Sequence, residues 1–526
     1  MVRSPHKLNM ILILTWLQCR HLNGSRDTQF QNFTNLTFPK VFNYEDPVTV
    51  LLNLTNSNYT CDEKFLGVTI GISELKHTEA TIDLSSPKVQ IMAQALSPTF
   101  VRLGGTLANF LIFDPNGTEQ VAGLGSQPQD IIASSLNLKT FNLTGERWLN
   151  FTAFFKLVGW DLIFNFNQFL RKADQWDPTN AALLLKFSQT NKVNISGFQI
   201  GNEPSAYEHD YNVTIPPAAL YNEFITLRNI LNGLPRYWAS KLFGPDVTRF
   251  YNGSKSTIYL QEFLKAGACD AMDYITFHHY YMNSDVATLD HFISIEVLDS
   301  LKECLGIAKD IMLESSCSLP LALSETSSFS GGGAPELSDR YVAGFMWLDK
   351  LGLSAQYGLA RVFRQTFFAA NYALISSKIE PNPDFYLTVL FKRLVQGPVL
   401  TVLKQPDLIR VYANCASTVL YPSGAIVIYF LNLRNSSVNM TFPQFANLTT
   451  DIYLLTPGDS NGLRSSYVKL NGKILVMTGL ELPSLLPRTV NGAIPLEPYS
   501  FGFLVVPNAN VSVCLKGLNT TLNKRL

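Results

Sequence analysis

Two glutamates sit where a carboxylate can act on a bond. Glu203 follows the short run Phe198-Gln199-Ile200-Gly201, with Asn202 before it and Pro204 after it. Glu325 closes the run Leu319-Pro320-Leu321-Ala322-Leu323-Ser324 and leads into Thr326-Ser327-Ser328-Phe329-Ser330-Gly331-Gly332-Gly333. Short apolar runs that end in Gly/Ser-rich loops before a helical pattern are the βα units of a parallel sheet. If such units close into a barrel, chemistry collects at the carboxyl ends of the strands. One acid at a strand end is most often a cap or an ion-pair member. Two on different strands of one barrel are the pair that glycoside hydrolysis uses: one protonates the departing oxygen, the other attacks the anomeric carbon or activates water.

The elements that must position them recur regularly. Strands are expected at 65–71, 99–103, 162–167, 197–200, 241–243, 274–278, 319–323 and 360–363, with room for a helix after each, which suits a (β/α)8 barrel over 61–397. After Glu325 a helix is expected from about Ser338, capped by it, burying Val342, Phe345, Met346 and Leu348 and ending at Gly352. The irregular stretch 114–148 reads as an exposed insertion. From about 398 the pattern changes to short alternating strands at 409–412, 425–431, 452–455, 469–477 and 501–506, a β-sandwich over 398–526. Residues 25–60 hold one β-like run, 48–54, expected as a strand of that sandwich.

Composition excludes several classes. The 526 residues carry 46% hydrophobic and 16% charged side chains, a packed globular chain too long for one small core. Lys plus Arg equal Asp plus Glu at 41 each, so no global basic field attracts nucleic acid. Residues 1–24 have a basic head and an apolar run from Met10 to Leu17, like a secretory signal. No later run approaches the ~20 apolar residues of a membrane span. Frequent Asn-x-Ser/Thr triplets, at Asn150, Asn194 and Asn252 among others, suit a secreted glycoprotein. Six cysteines follow the leader, and six allow fifteen pairings; Cys415–Cys514 and Cys304–Cys317 are the expected ones. None has the spacing of a zinc site, and neither metal nor cofactor is expected. His278 and His279, adjacent on a strand, point to opposite faces and cannot share one ion.

These residues resemble the heparanase-type endo-β-glucuronidases, retaining hydrolases with a (β/α)8 barrel and a β-sandwich. The resemblance rests on Arg102-Leu103-Gly104-Gly105-Thr106, Gly201-Asn202-Glu203-Pro204, Gly244-Pro245-Asp246-Val247, His278-His279-Tyr280-Tyr281, Glu325-Thr326-Ser327-Ser328 and Asp349-Lys350-Leu351-Gly352-Leu353. It covers roughly 45–515. Other runs, such as Glu380-Pro381-Asn382-Pro383-Asp384, look as much like the leech-type hyaluronidases of the same family. The resemblance implies Glu203 as proton donor and Glu325 as nucleophile, with the first protonated and the second ionised at rest. It implies Arg102 as the counter-charge of Glu325, Tyr280 orienting the nucleophile, and Asn202 binding the hydroxyl beside the anomeric carbon. Tyr372, Thr106, Gly331 and Gly332 would line the glucuronate subsite, and Arg249 would meet the substrate.

The chain departs from that family at several places. Gly71 replaces an acid at the end of the first strand. Asn283-Ser284-Asp285 puts an acid where a sulfate-binding arginine would sit. The loop after Val247 keeps Arg249 but continues Phe250-Tyr251-Asn252, Ser330 replaces an aromatic, and no cysteine lies near Val158. The implied substrate is a glycosaminoglycan, heparan sulfate first and hyaluronan second. A catalytically silent binding homologue and an exo-acting glucuronidase are the remaining readings, and the oligomeric state is not read.

Overall fold

A computed structural model of the chain describes residues 47–75, 81–117, 140–172 and 174–515. The expected leader and all but the ends of the expected insertion (114–148) lie outside them. Eight parallel strands close a barrel in sequential order: β1 Leu66–Gly71, β2 Thr99–Gly104, β3 Trp160–Phe166, β4 Gly197–Ile200, β5 Lys241–Val247, β6 Tyr274–His279, β7 Leu321–Thr326 and β8 Arg361–Arg364. All eight expected segments are strands of it. The helices α1 Pro87–Gln94, α2 Gly145–Val158, α3 Thr179–Thr190, α4 Pro217–Asn232, α5 Lys255–Phe263, α6 Ile295–Glu314, α7 Ala343–Gln356 and α8 Pro383–Leu394 follow the strands one by one.

Alternation along the strands builds the barrel interior in layers. At the amino ends Phe100, Ile163, Phe243, Tyr274 and Phe363 form an apolar plug, with the Phe243 and Tyr274 rings stacked at 4.4 Å. Gly67 and Gly197 make room for it, since a Cβ there would lie 2.6 Å from Phe363 and 2.5 Å from Phe243. Two residues further along, the same inward faces carry Thr69, Arg102, Asn165, Gln199, Thr276 and Ser324, all buried and polar. The barrel is therefore apolar below and hydrogen-bonded above. A register shift in β5 between Pro245 and Val247 leaves Asp246 at φ 62° and buries it in the polar layer.

Helix α7 is buried along its length, between the barrel and an antiparallel sheet. It starts later than expected. The Ser338 hydroxyl accepts the Ala334 amide at 2.9 Å and bonds the Ser328 hydroxyl at 2.8 Å, so it closes the glycine turn and is not free to cap the helix. Gly352 does not end it either. It lies where a Cβ would come within 2.3 Å of the Tyr412 ring, so its smallness lets the sheet close on the helix. The end comes at Gln356, with Gly358 left-handed just beyond. Arg410 and Tyr412 of the sheet bond Asp349 on α7, and Arg410 also pairs with Asp299 on α6 at 2.7 Å.

That large sheet includes Ile409–Ala416, Ile426–Asn432, Thr449–Pro457 and Ser500–Val506, and a three-stranded sheet packs on its other face. The expected run 469–477 is instead a hairpin, Val468–Leu470 and Lys473–Ile474, because Asn471 and Gly472 both take positive φ in the turn. Residues from the amino-terminal segment pair here. Val48–Thr49 runs parallel to Met440 and Thr441, and Thr60–Cys61 pairs with Gly397 and Pro398.

Cys415 and Cys514 are bonded, as expected. Cys317 bonds Cys269 and not Cys304. Cys304 sits mid-α6 with its thiol packed inward and pushed up to about 12 by burial. The ten helical residues beyond it carry the chain about 15 Å away before Cys317 is reached. Cys269 and Cys317 both lie in connections entering neighbouring strands, β6 and β7, so their Cα atoms come within 5.7 Å.

Candidate active site

The chain leaves β4 through a turn that only its own residues permit. Gly201 has φ 75°, and a Cβ there would lie 2.1 Å from the Gln168 side chain. Asn202 follows, its amide donating to the Tyr207 hydroxyl at 3.0 Å. Glu203 then adopts a left-handed conformation, φ 58° and ψ 51°, which is uncommon for a residue with a long side chain. Its amide donates to Asp246 O at 3.0 Å and its carbonyl accepts from Ala206 at 2.8 Å, so both neighbours hold the bend. Pro204 turns the chain away. The carboxylate is thereby placed over the mouth of the barrel, about a quarter exposed.

Glu325 reaches the same mouth from β7, nearly buried. One oxygen accepts from Arg102 Nη1 at 2.7 Å and the other from the Tyr280 hydroxyl at 2.7 Å. Arg102 is the hub of the polar layer. Its Nη2 donates to Asn202 Oδ1 at 2.8 Å and to Asp246 Oδ2 at 2.5 Å, and its Nε to Gln199 Oε1 at 2.7 Å. Burial opposes the guanidinium charge, but Asp246 and Glu325 outweigh it and keep the group ionised.

Asp246 is the second hub. It accepts from Gln199 Nε2 at 2.8 Å and from the Ser324 hydroxyl, and it lies 3.2 Å from His278 Nε2, an ion-pair distance rather than an aligned hydrogen bond. Burial disfavours its charge, yet Arg102 and His278 hold the carboxyl below the usual range. On His278, burial again works against the charge. Asp246 and Glu325 overcome it and raise the imidazole to about 10, so the ring is an imidazolium at neutral pH. Its Nδ1 donates to Glu203 Oε1 at 2.8 Å. A chain of hydrogen bonds and ion pairs therefore runs from Glu325 through Arg102, Asp246 and His278 to the Glu203 carboxyl group.

The remaining expected site residues lie in the connections that leave the same ends of the barrel strands. Tyr372 stacks on Tyr280 with ring centres 6.1 Å apart, and its carbonyl is held by Arg364. Gly331 and Gly332 are left-handed, and among the described residues neither amide has a hydrogen-bond partner. Thr106 opens a turn after β2 with its side chain exposed. Arg249 is half-buried and turned back, donating to Tyr281 O at 2.6 Å and Tyr280 O at 3.3 Å. Asp246, Gln199 and the contact of His278 with Glu203 were not singled out from the sequence. His279 faces away and is kept neutral by burial and Lys350. No His/Cys/Asp/Glu cluster fit for a metal occurs among the described residues.

A family model described as glycosyl hydrolase family 79, N-terminal domain, matches residues 75–352. The chain is 36% identical to a heparanase of Mus musculus over 498 residues, 86% of this chain and 91% of that protein. It is 30% identical to a hyaluronoglucuronidase of Hirudo nipponia, over 89% of this chain and 99% of the relative. In fold it is similar to a 4-O-α-L-rhamnosyl-β-D-glucuronidase of Fusarium oxysporum, with TM-score 0.60 and 14% identity over 87% of this chain and 100% of that one. The chain belongs to glycosyl hydrolase family 79 and is a glycoside hydrolase.

Proposed function

We propose that the chain is a retaining endo-β-glucuronidase that hydrolyses internal glucuronide bonds of a glycosaminoglycan. The observation that carries this reading is the pair of carboxylates at the ends of β4 and β7, each with its own cationic neighbour and wired to the other through Asp246. Glu325, fixed by Arg102 and Tyr280, attacks the anomeric carbon, and Glu203 gives its proton to the departing oxygen. Water then enters and gives a proton to Glu203, while its oxygen bonds to the anomeric carbon and displaces the Glu325 carboxylate, with net retention. Asn202 faces the hydroxyl beside the anomeric carbon. The free amides of Gly331 and Gly332, with the Thr106 hydroxyl, suit the glucuronate carboxylate, and Tyr372 lines the same subsite.

Relatives named for heparan-type and hyaluronan-type substrates support a glucuronate polymer. Heparan sulfate is the first reading. Hyaluronan is the second, favoured by exposed Asp285 after β6 and by Arg249, whose guanidinium is already taken up by two backbone carbonyls. Two disulfides fit an oxidising compartment, the extracellular space or the lysosome. The test is a product analysis. Purified protein is incubated with each polymer at acidic and neutral pH, and chain size and the new reducing-end sugar are read. Shortened chains ending in glucuronate are expected. Binding of both polymers without cleavage would instead make the chain a silent binder.

A further inference from the structure

The loop after β5 holds a second feature of the mouth. Phe250 is buried and packs on Phe277 of β6, with ring centres 4.9 Å apart. Its neighbour Tyr251 is turned the other way and is 57% exposed. The loop is fixed on both sides of that ring. Ser254 N and the Thr257 hydroxyl donate to Tyr251 O at 3.0 Å each, and the Ser254 hydroxyl caps α5. The Tyr251 ring lies 5.9 Å from the guanidinium of Arg249, the residue that holds the carbonyl of Tyr280, whose hydroxyl binds Glu325. The ring is thus one residue removed from the contacts of the candidate nucleophile, and the backbone that carries it is hydrogen-bonded on its carbonyl side.

The charges on the surrounding loops are acidic or already paired. Asp285, after β6, is exposed. Glu208, after β4, pairs with Lys255 at 2.6 Å, and Asp210 lies 2.7 Å from His209. Among the described residues of these loops no cation stands free to meet a sulfate, whereas an aromatic face does stand free to meet the apolar face of a sugar ring.

We propose that Tyr251 is a stacking platform for a sugar next to the glucuronate subsite, and that it selects unsulfated stretches of the polymer. The inference rests on the glucuronidase reading above and narrows its substrate. An unsulfated glucuronate–N-acetylhexosamine sequence offers the ring an uncharged face, and its single carboxylate per disaccharide is taken by the glycine amides. A heavily sulfated one brings anions against Asp285 and finds no counter-charge there.

The test is binding to the Glu325→Gln protein, made in a secretory host, with a hyaluronan hexasaccharide and a sulfated heparin-derived hexasaccharide as probes. Tyr251→Ala should weaken hyaluronan-hexasaccharide binding about tenfold, while Tyr251→Phe keeps it and both variants melt with the parent. Asp285→Arg should strengthen binding of the sulfated probe at least threefold and leave the unsulfated one unchanged. Equal affinity of Tyr251→Ala and parent would overturn the proposal, as would loss in Tyr251→Phe equal to that in Tyr251→Ala. So would a glycan mapped on Asn252 in chains that bind normally, since that sugar would cover the ring. Because the Glu325→Gln chain reads binding alone, failure of the wild type to cleave either polymer would count against the glucuronidase reading and not against this one.

Discussion

Arg102 and Asn202 share a hydrogen bond that joins the two halves of the cleft. The guanidinium that donates to Glu325 also donates to the residue preceding Glu203. A displacement on one side of the mouth is therefore felt on the other, and substitutions in the polar layer should change more than one step.

Glu325→Gln is expected to abolish turnover with the fold intact, checked by melting and oligosaccharide binding alongside activity. Glu203→Gln should slow cleavage about 10²–10⁴-fold for substrates with poor leaving groups. It should cost much less with an aryl glucuronide whose leaving group needs no proton. Equal losses on both substrates would remove Glu203 from the acid role.

Asp246→Ala leaves a guanidinium and an imidazolium buried without their shared partner. Breaking a buried ion pair from one side costs about 3–5 kcal/mol, so chemical denaturation should show a loss of that order. Asp246→Asn, which keeps the shape, should lose less stability while still lowering kcat, because His278 loses the carboxylate 3.2 Å from its Nε2.

The sign of the pH effect at His278 follows from its raised value. The ring binds its proton more tightly folded, about 10, than at its ordinary 6.5. Its contribution to stability is complete below about pH 6.5 and is lost as pH rises towards 10. Wild-type melting temperature should fall across that window faster than that of His278→Asn, read by calorimetry at fixed ionic strength.

Peptide mapping without reduction should recover Cys269 joined to Cys317. Removing that bond opens a connection of 48 residues and should cost about 4 kcal/mol on chain-entropy grounds. Cys304→Ala should cost only what a small core vacancy costs, and comparable losses in the two variants would contradict the pairing.

The barrel was legible because each strand is a short apolar run before a loop, and Glu203, Glu325, Arg102, Asn202 and Tyr280 fall at strand ends where the structure brings them together. Asp246 was not legible as part of the site. It enters the interior only through a register shift after Pro245, and such a shift leaves no mark in hydrophobic periodicity. His278 was seen to face away from His279, but what it faced depends on β4 and β5, far away in sequence. The later start of α7 has the same origin. Ser338 has the chemistry of a cap, and it spends it on Ala334 and Ser328. Cys304 was the nearer partner for Cys317 along the chain, and helix α6 makes it the more distant one in space.

The pairing of residues 48–49 with 440–441 sets an order for biosynthesis. The bond from Leu52 to Gln444 spans 392 residues, so at about 5–20 residues per second its first half is made roughly 20–80 s before its second. During that interval Val48, Val50 and Leu52 are an unpaired apolar edge of the kind that templates association with other chains. Chaperones would be engaged once this edge is made, and release would follow completion of the last sheet. Yield in a foreign host should therefore respond more to slowed elongation or added chaperone than to any substitution in the barrel.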